Sequence, residues 1–307
     1  MITMFNTMPL PVSRREHSRP TIIAALLLSL TLALGACGMV VRLSYNQASS
    51  IAFRWLDGFV DFDDAQSLRA RAALDEWFAW NRRTQLADYA DRLARAEVEL
   101  LADTTPKRVC GWTEEIRGRI DAGLEHARPA LADVIVTMTP QQIGNVERKN
   151  AERNAIWRDD FLQRDHAKRR EAAVRRDIEL AERLYGTLDA TQREMVGRWV
   201  ANSPFDADLA YAERLRRQQD ALALLRRLVA ARPARADTEA EIQAYLERLD
   251  RSPRYDYRRH AEGLLDYNCA FAAALHNATS SEQRRTAAAR LRDYEMDLRA
   301  LAAEAAS

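Results

Sequence analysis

Past residue 36, the side chains best suited to chemistry are four histidines (His126, His166, His260, His276), three cysteines (Cys37, Cys110, Cys269) and the aspartates Asp57, Asp61, Asp63 and Asp64. Di-iron helical bundles set a Glu three residues before an inward-facing His, and none of these histidines has one. The cysteines lack the C-x-x-C-H context of covalent haem, and there is no H-E-x-x-H, G-x-S-x-G or phosphate loop. The aspartate cluster resembles a calcium loop without its glycine at position six or its glutamate at position twelve, so helix capping by Asp63 explains it better. Trp77, Phe78 and Trp80 could stack on sugar rings, but beside Leu74 they read as core. His276 and Asn277 end a helix, where local backbone bonding accounts for both. The expectation is a protein that is not an enzyme, with no cofactor and no metal.

Cys37 carries a different chemistry. Arg14, Arg15 and Arg19 precede the apolar stretch TIIAALLLSLTLAL, which ends in Leu34-Gly35-Ala36-Cys37. A basic start, an apolar run and a small-residue cleavage site define a secretory signal. An apolar residue, two small ones and a cysteine make a lipobox: the thiol takes diacylglycerol, and cleavage falls between Ala36 and Cys37. An uncleaved anchor competes, since Thr21 to Val41 holds no charge and about 20 apolar residues span a bilayer. Gly35, Cys37 and Gly38 weaken that helix. A twin-arginine signal from Arg14-Arg15 is disfavoured by Glu16 and His17. With Gly38 where aspartate would signal inner-membrane retention, resemblance to other bacterial lipoproteins implies an outer-membrane, periplasm-facing anchor.

An even cysteine pair then remains, and the periplasm is oxidising, so Cys110 and Cys269 are expected to form a disulfide; two buried thiols are the alternative. The chain carries 46 basic and 45 acidic residues. That balance gives no electrostatic case for nucleic acid. Few glycines and prolines, with abundant Ala, Leu, Arg and Glu, point to an all-α fold.

The elements follow from capping boxes and breaks. Boxes are read at Ser44/Gln47, Asp63/Gln66, Thr139/Gln142, Asp189/Gln192, Thr238/Glu241 and Thr279/Glu282. Breaks are expected at Thr104–Pro106, Pro129, Thr139–Pro140, Asn202–Pro204, Pro233 and Ser252–Pro253. Apolar stripes at helical spacing run through Tyr45, Ala48, Ala52, Trp55 and Phe59; Val109, Ile116, Ile120, Leu124 and Ala127; Leu215, Leu222, Leu225 and Val229; and Ala287, Leu291, Tyr294, Leu298, Leu301 and Ala305. Each wants a facing helix, which gives a bundle or stacked helical hairpins. Residues 147–176 are dominated by charge, with pairs Asp160/Arg164, Asp165/Arg169 and Glu171/Arg175, and read as one long solvated helix. The organisation is then a signal (1–36), an anchor with a short tether (37–43) and a helical domain (44–307), either one body or two lobes joined by the helix around 140–187. So short a tether, about 25 Å at full extension, keeps the first helix near the lipid headgroups.

The segments VRLSYNQASSIAFRWLDGFVDFD, SPFDADLAYAERLRRQQDALALLRRL and NCAFAAALHNATSSEQRRTAAARLRDYEMDLRAL resemble a proteobacterial lipoprotein family catalogued only as a domain of unknown function. The resemblance implies a helical lipoprotein and no activity, cofactor or catalytic residues. The leading expectation is a non-catalytic outer-membrane lipoprotein that binds or scaffolds another envelope component, with an envelope protein as partner; the charged helix reads as a solvated face or a bridge between lobes, or more sharply as a docking surface. The alternative is a carrier or chaperone for apolar cargo, lipid or unfolded chain, and behind it an enzyme with an unrecognised site.

Overall fold

The structure, a computed structural model, describes Arg42 and residues 44–304. The export signal with Ala36 and Cys37, and Ala305 of the last stripe, lie outside the described residues. Eleven helices follow from Ala48: α1 (Ala48–Val60), α2 (Asp64–Thr84), α3 (Leu86–Glu99), α4 (Pro106–Ile135), α5 (Pro140–Phe161), α6 (His166–Tyr185), α7 (Ala190–Ala201), α8 (Ala207–Ala231), α9 (Arg235–Asp250), α10 (Tyr255–Asn277) and α11 (Ser281–Glu304). The described residues contain no strand, and none of their helices is long and apolar enough to cross a membrane. The fold is all-α.

The boxes at Asp63/Gln66, Thr139/Gln142 and Asp189/Gln192 form as read, starting α2, α5 and α7. Their glutamines do more than cap. Gln66 Nε2 donates to the Thr137 carbonyl at 2.8 Å and Gln142 Nε2 to the Asp61 carbonyl at 2.9 Å, and the two amides also bond each other. The same arrangement recurs between Gln192 and Gln283, which reach the carbonyls of Ala278 and Thr187 at 2.9 Å and bond each other at 2.7 and 2.9 Å. In all four cases the carbonyl lies two residues before the partner helix's cap. Two pairs of helix starts are thereby locked back to back, with no orphaned amide.

Several expectations need correction. The last box belongs to Ser280/Gln283, one residue beyond Thr279/Glu282, because Gln283 is the residue that meets Gln192. Thr238 lies inside α9, its hydroxyl donating to the Ala234 carbonyl. Residues 44–46 are helical, and Gln47 rather than Ser44 precedes α1, with no side-chain cap. Pro129 does not break α4. A proline inside a helix costs about 3 kcal/mol, but beyond it Ala132 and Ile135 pack with Leu224, Leu228 and Ile242, and that burial carries the helix past it. The single long charged helix is two helices. α5 ends at Phe161, and Asp165 accepts from the amides of Ala167 and Lys168 to start α6. Asp165 is therefore a cap rather than a partner of Arg169.

The aspartate cluster is likewise structural. Asp57 accepts from the Phe62 amide at 3.0 Å, Asp61 turns the chain with φ +64°, and Asp63 caps α2. Two clusters of the apolar core lie where α4, α5, α8 and α9 meet, the second formed by Met138, Ile143, Leu222 and Val229, and a third joins Leu188, Val196 and Leu275 at α7 and α10. Leu222 and Val229 belong to the third stripe.

Candidate functional site

The second stripe does not meet a facing helix. Val109, Ile116, Ile120, Leu124 and Ala127 of α4 instead form one wall of a cleft of about 1360 Å3. Ile116 is 58% exposed and Leu124 36%. Leu74, Trp77 and Phe78 of α2 line it, as do Leu93 and Ala96 of α3 and Leu291 and Leu298 of α11. Ala52 and Trp55 of α1 contribute from the first stripe, with Leu56 beside them. Trp77 and Phe78 are thus half-buried cleft residues rather than core. Trp77 is fixed by its indole, which donates to the Gly123 carbonyl at 2.9 Å, and Phe78 packs edge-on against both Trp77 and Tyr45.

The void exists because α3 and α4 stand apart: no Cα of one comes within 8 Å of a Cα of the other. α3 pairs along its length with α11, while α4 packs on α2, α9 and α10. Only long side chains bridge the slot. Near the α3–α4 loop, Glu99 accepts from Arg108 Nε at 2.7 Å and from the Trp112 indole at 2.9 Å. Farther along, Arg92 and Arg95 of α3 both bond Glu115 of α4, and Arg119 Nη1 lies 3.4 Å from Asp88. The Arg92 guanidinium hydrogen-bonded to Asp88, and that of Arg108 to Glu99, hold both carboxyls below their usual range. These groups stay ionised at neutral pH, and the strap they form is electrostatic and partly exposed.

His276 lines the cleft near the α3–α4 loop, and a disulfide ties α4 to α10. Cys110 of α4 and Cys269 of α10 are joined, as expected, with their Cα atoms 5.5 Å apart. His276 is buried, and its Nε2 must donate to the Ala102 carbonyl at 2.8 Å, because a carbonyl only accepts. Nδ1 then accepts from the Tyr185 hydroxyl at 2.9 Å, which fixes the neutral tautomer. Asn277 pairs both ways with the Thr104 backbone. Both residues therefore bind a loop more than 170 positions away rather than their own turn. Burial pushes the Tyr185 phenol up to about 12 and the His276 imidazole below its usual value.

Residues 58–257, more than half of the chain, match a family of unknown function, DUF6279. The chain belongs to that family. The matched span holds both sides of the α3–α4 slot, whereas α11 and most of α10 lie beyond it. No curated protein and no solved structure is significantly similar to the chain.

The histidines do not converge. His126 lies flat on Trp80, ring centres 3.9 Å apart, with Nε2 3.2 Å from Glu76; His166 starts α6; His260 lies on α10, its Nε2 buried without a hydrogen bond. Among the described residues no three His, Cys, Asp or Glu side chains gather as a metal set. The buried Glu213 is bonded by Arg216 and Arg217 and does not line the cleft.

The lowered His276 value makes acid destabilising. The unfolded chain takes up the proton first, near pH ~6.5. Stability is therefore full above that pH and falls as the pH drops toward the folded value. Thermal melts between pH 8 and pH 5 should show this decline in the wild type and lack that component in His276→Phe. Identical pH dependences would remove His276 as the cause.

Proposed function

We propose that this protein is a non-catalytic, lipid-anchored binding protein of the outer membrane whose cleft holds the acyl chains of a lipid. The cleft carries the reading: its volume of about 1360 Å3 exceeds the clefts of ~300–1,000 Å3 that take drug-sized ligands. Its wall is apolar along α1, α2, α4 and α11. An unfolded peptide would bring N–H and C=O groups into a wall with few polar groups to meet them, at a cost of about 1–3 kcal/mol for each one left unpaired. An alkyl chain brings none and gains about 0.8 kcal/mol per buried methylene. Lipid is favoured over unfolded chain on that ground.

The anchor at Cys37 is part of the same reading and keeps the cleft beside a bilayer, its source of ligand. The leading expectation, a scaffold, rests on the lack of a catalytic constellation and on a long charged helix, and the chain forms two shorter helices in place of that one. A non-catalytic role is supported by the pairing of Asp88, Glu99 and Glu115 with arginines in the strap and by the locked tautomer of His276.

Native mass spectrometry of the full-length protein, isolated in mild detergent, should find copurifying mass that extracts as acyl lipid. A clean ligand-free mass, under conditions where a control lipid-binding protein keeps its ligand, would overturn the reading. Replacing Cys37→Ala should release the protein from membranes, and retention there would refute the anchor while leaving the cleft untouched.

A further inference from the structure

The strap across the α3–α4 slot is not balanced. Four arginines (Arg92, Arg95, Arg108, Arg119) face three carboxylates (Asp88, Glu99, Glu115), and the deficit falls on Arg119. Arg92 already grips Asp88 with two hydrogen bonds, at 2.9 and 3.2 Å. Arg119 has only that same carboxylate, at 3.4 Å, and its own Nε is buried without a hydrogen bond. Its side chain lines the cleft one turn from Ile116 and beside Ile120, so the least satisfied cation of the slot sits where apolar wall gives way to solvent.

We infer that the cleft selects acyl lipids with an anionic head group, whose carboxylate or phosphate oxygens bind Arg119 at the α3–α4 slot while the chain lies against α4. This rests on the cleft being an acyl-chain site and adds the head group. A guanidinium presents paired donors that match a two-oxygen anion, and such bonds are the strong ones. A head group bound there need not break the Arg92–Asp88 pair. The chain would run inward along the α4 stripe, past Ile120 beside Arg119 and on toward Leu124 and Ala127.

The test compares three probes with one pyrene-labelled sixteen-carbon tail: the free acid, its methyl ester and the corresponding alkyl phosphate. Each is titrated into the full-length protein by fluorescence. The acid and the phosphate should bind about tenfold more tightly than the ester, the margin of one charge-assisted bond. Arg119→Gln should erase that margin and leave the ester unchanged. Asp88→Asn should widen it, since Arg119 then loses its competing carboxylate. Melting curves of both variants check that the fold survives.

Equal affinity for acid and ester in the wild type overturns the head-group assignment and leaves the acyl-chain reading standing. No binding of any probe overturns both. Displacement of the acid by inorganic phosphate at equal concentration also overturns it, because it would mark a free-anion site that does not need the tail.

Discussion

Replacing Ala127→Phe is expected to weaken binding of an acyl-chain probe about a hundredfold without unfolding the protein. Ala127 lies on the α4 wall, and a ring there would displace three or four methylenes of ligand, worth roughly 2–3 kcal/mol. The same ring fills empty apolar space, so the melting temperature should hold or rise slightly, against a helix-propensity loss of a few tenths of a kcal/mol. Ala96→Phe, on the facing α3, should act alike, and the two together should close the site. Full affinity in a folded double variant would mean that ligand does not enter between these walls.

Removing the disulfide should have the largest effect on stability. Cys110 and Cys269 are 159 residues apart, and closing a loop of that size stabilises by roughly 5 kcal/mol in the chain-entropy model. Total stabilities are commonly about 5–15 kcal/mol, so a Cys110→Ser/Cys269→Ser variant should lose a large part of its own. Urea unfolding with and without reductant measures this. Cys269 is buried, so reduction of the native protein should be slow and should follow opening of the α4–α10 contact. An unchanged midpoint in the double variant would show that the bridge is dispensable.

How far the sequence could be read depended on whether a signal was local. The boxes at Asp63, Thr139 and Asp189 could be placed because both members lie within one turn. The last box has two registers that fit the local pattern, Thr279/Glu282 and Ser280/Gln283, and Gln192, 91 positions earlier, selects the second. The break after Phe161 has neither glycine nor proline, and its one local mark, Asp165, looked like half of an ion pair. Pro129 shows the reverse, a local breaker overridden by distant packing.

The site was half legible for the same reason. Periodicity put Val109, Ile116, Ile120, Leu124 and Ala127 on one face of α4 and could not say whether a helix or a void would oppose them. That depends on the separation of α3 from α4, which is set by the pairing of α3 with α11, by the covalent tie to α10 and by arginines long enough to span the slot. The unequal grouping of those arginines and carboxylates could be seen only once the helices were placed.

The glutamine pairs and the arginine strap hold helices by different means. An amide carries no net charge and gains no proton at ordinary pH, so acid and brine leave the Gln66–Gln142 and Gln192–Gln283 junctions alone. Salt acts on the strap by screening it, and acid acts on it where Asp88 and Glu99 take up protons, below the usual carboxylate range. A change in the surroundings therefore weakens the bridge between α3 and α4 while the hydrogen bonds that join the four helix starts keep their strength.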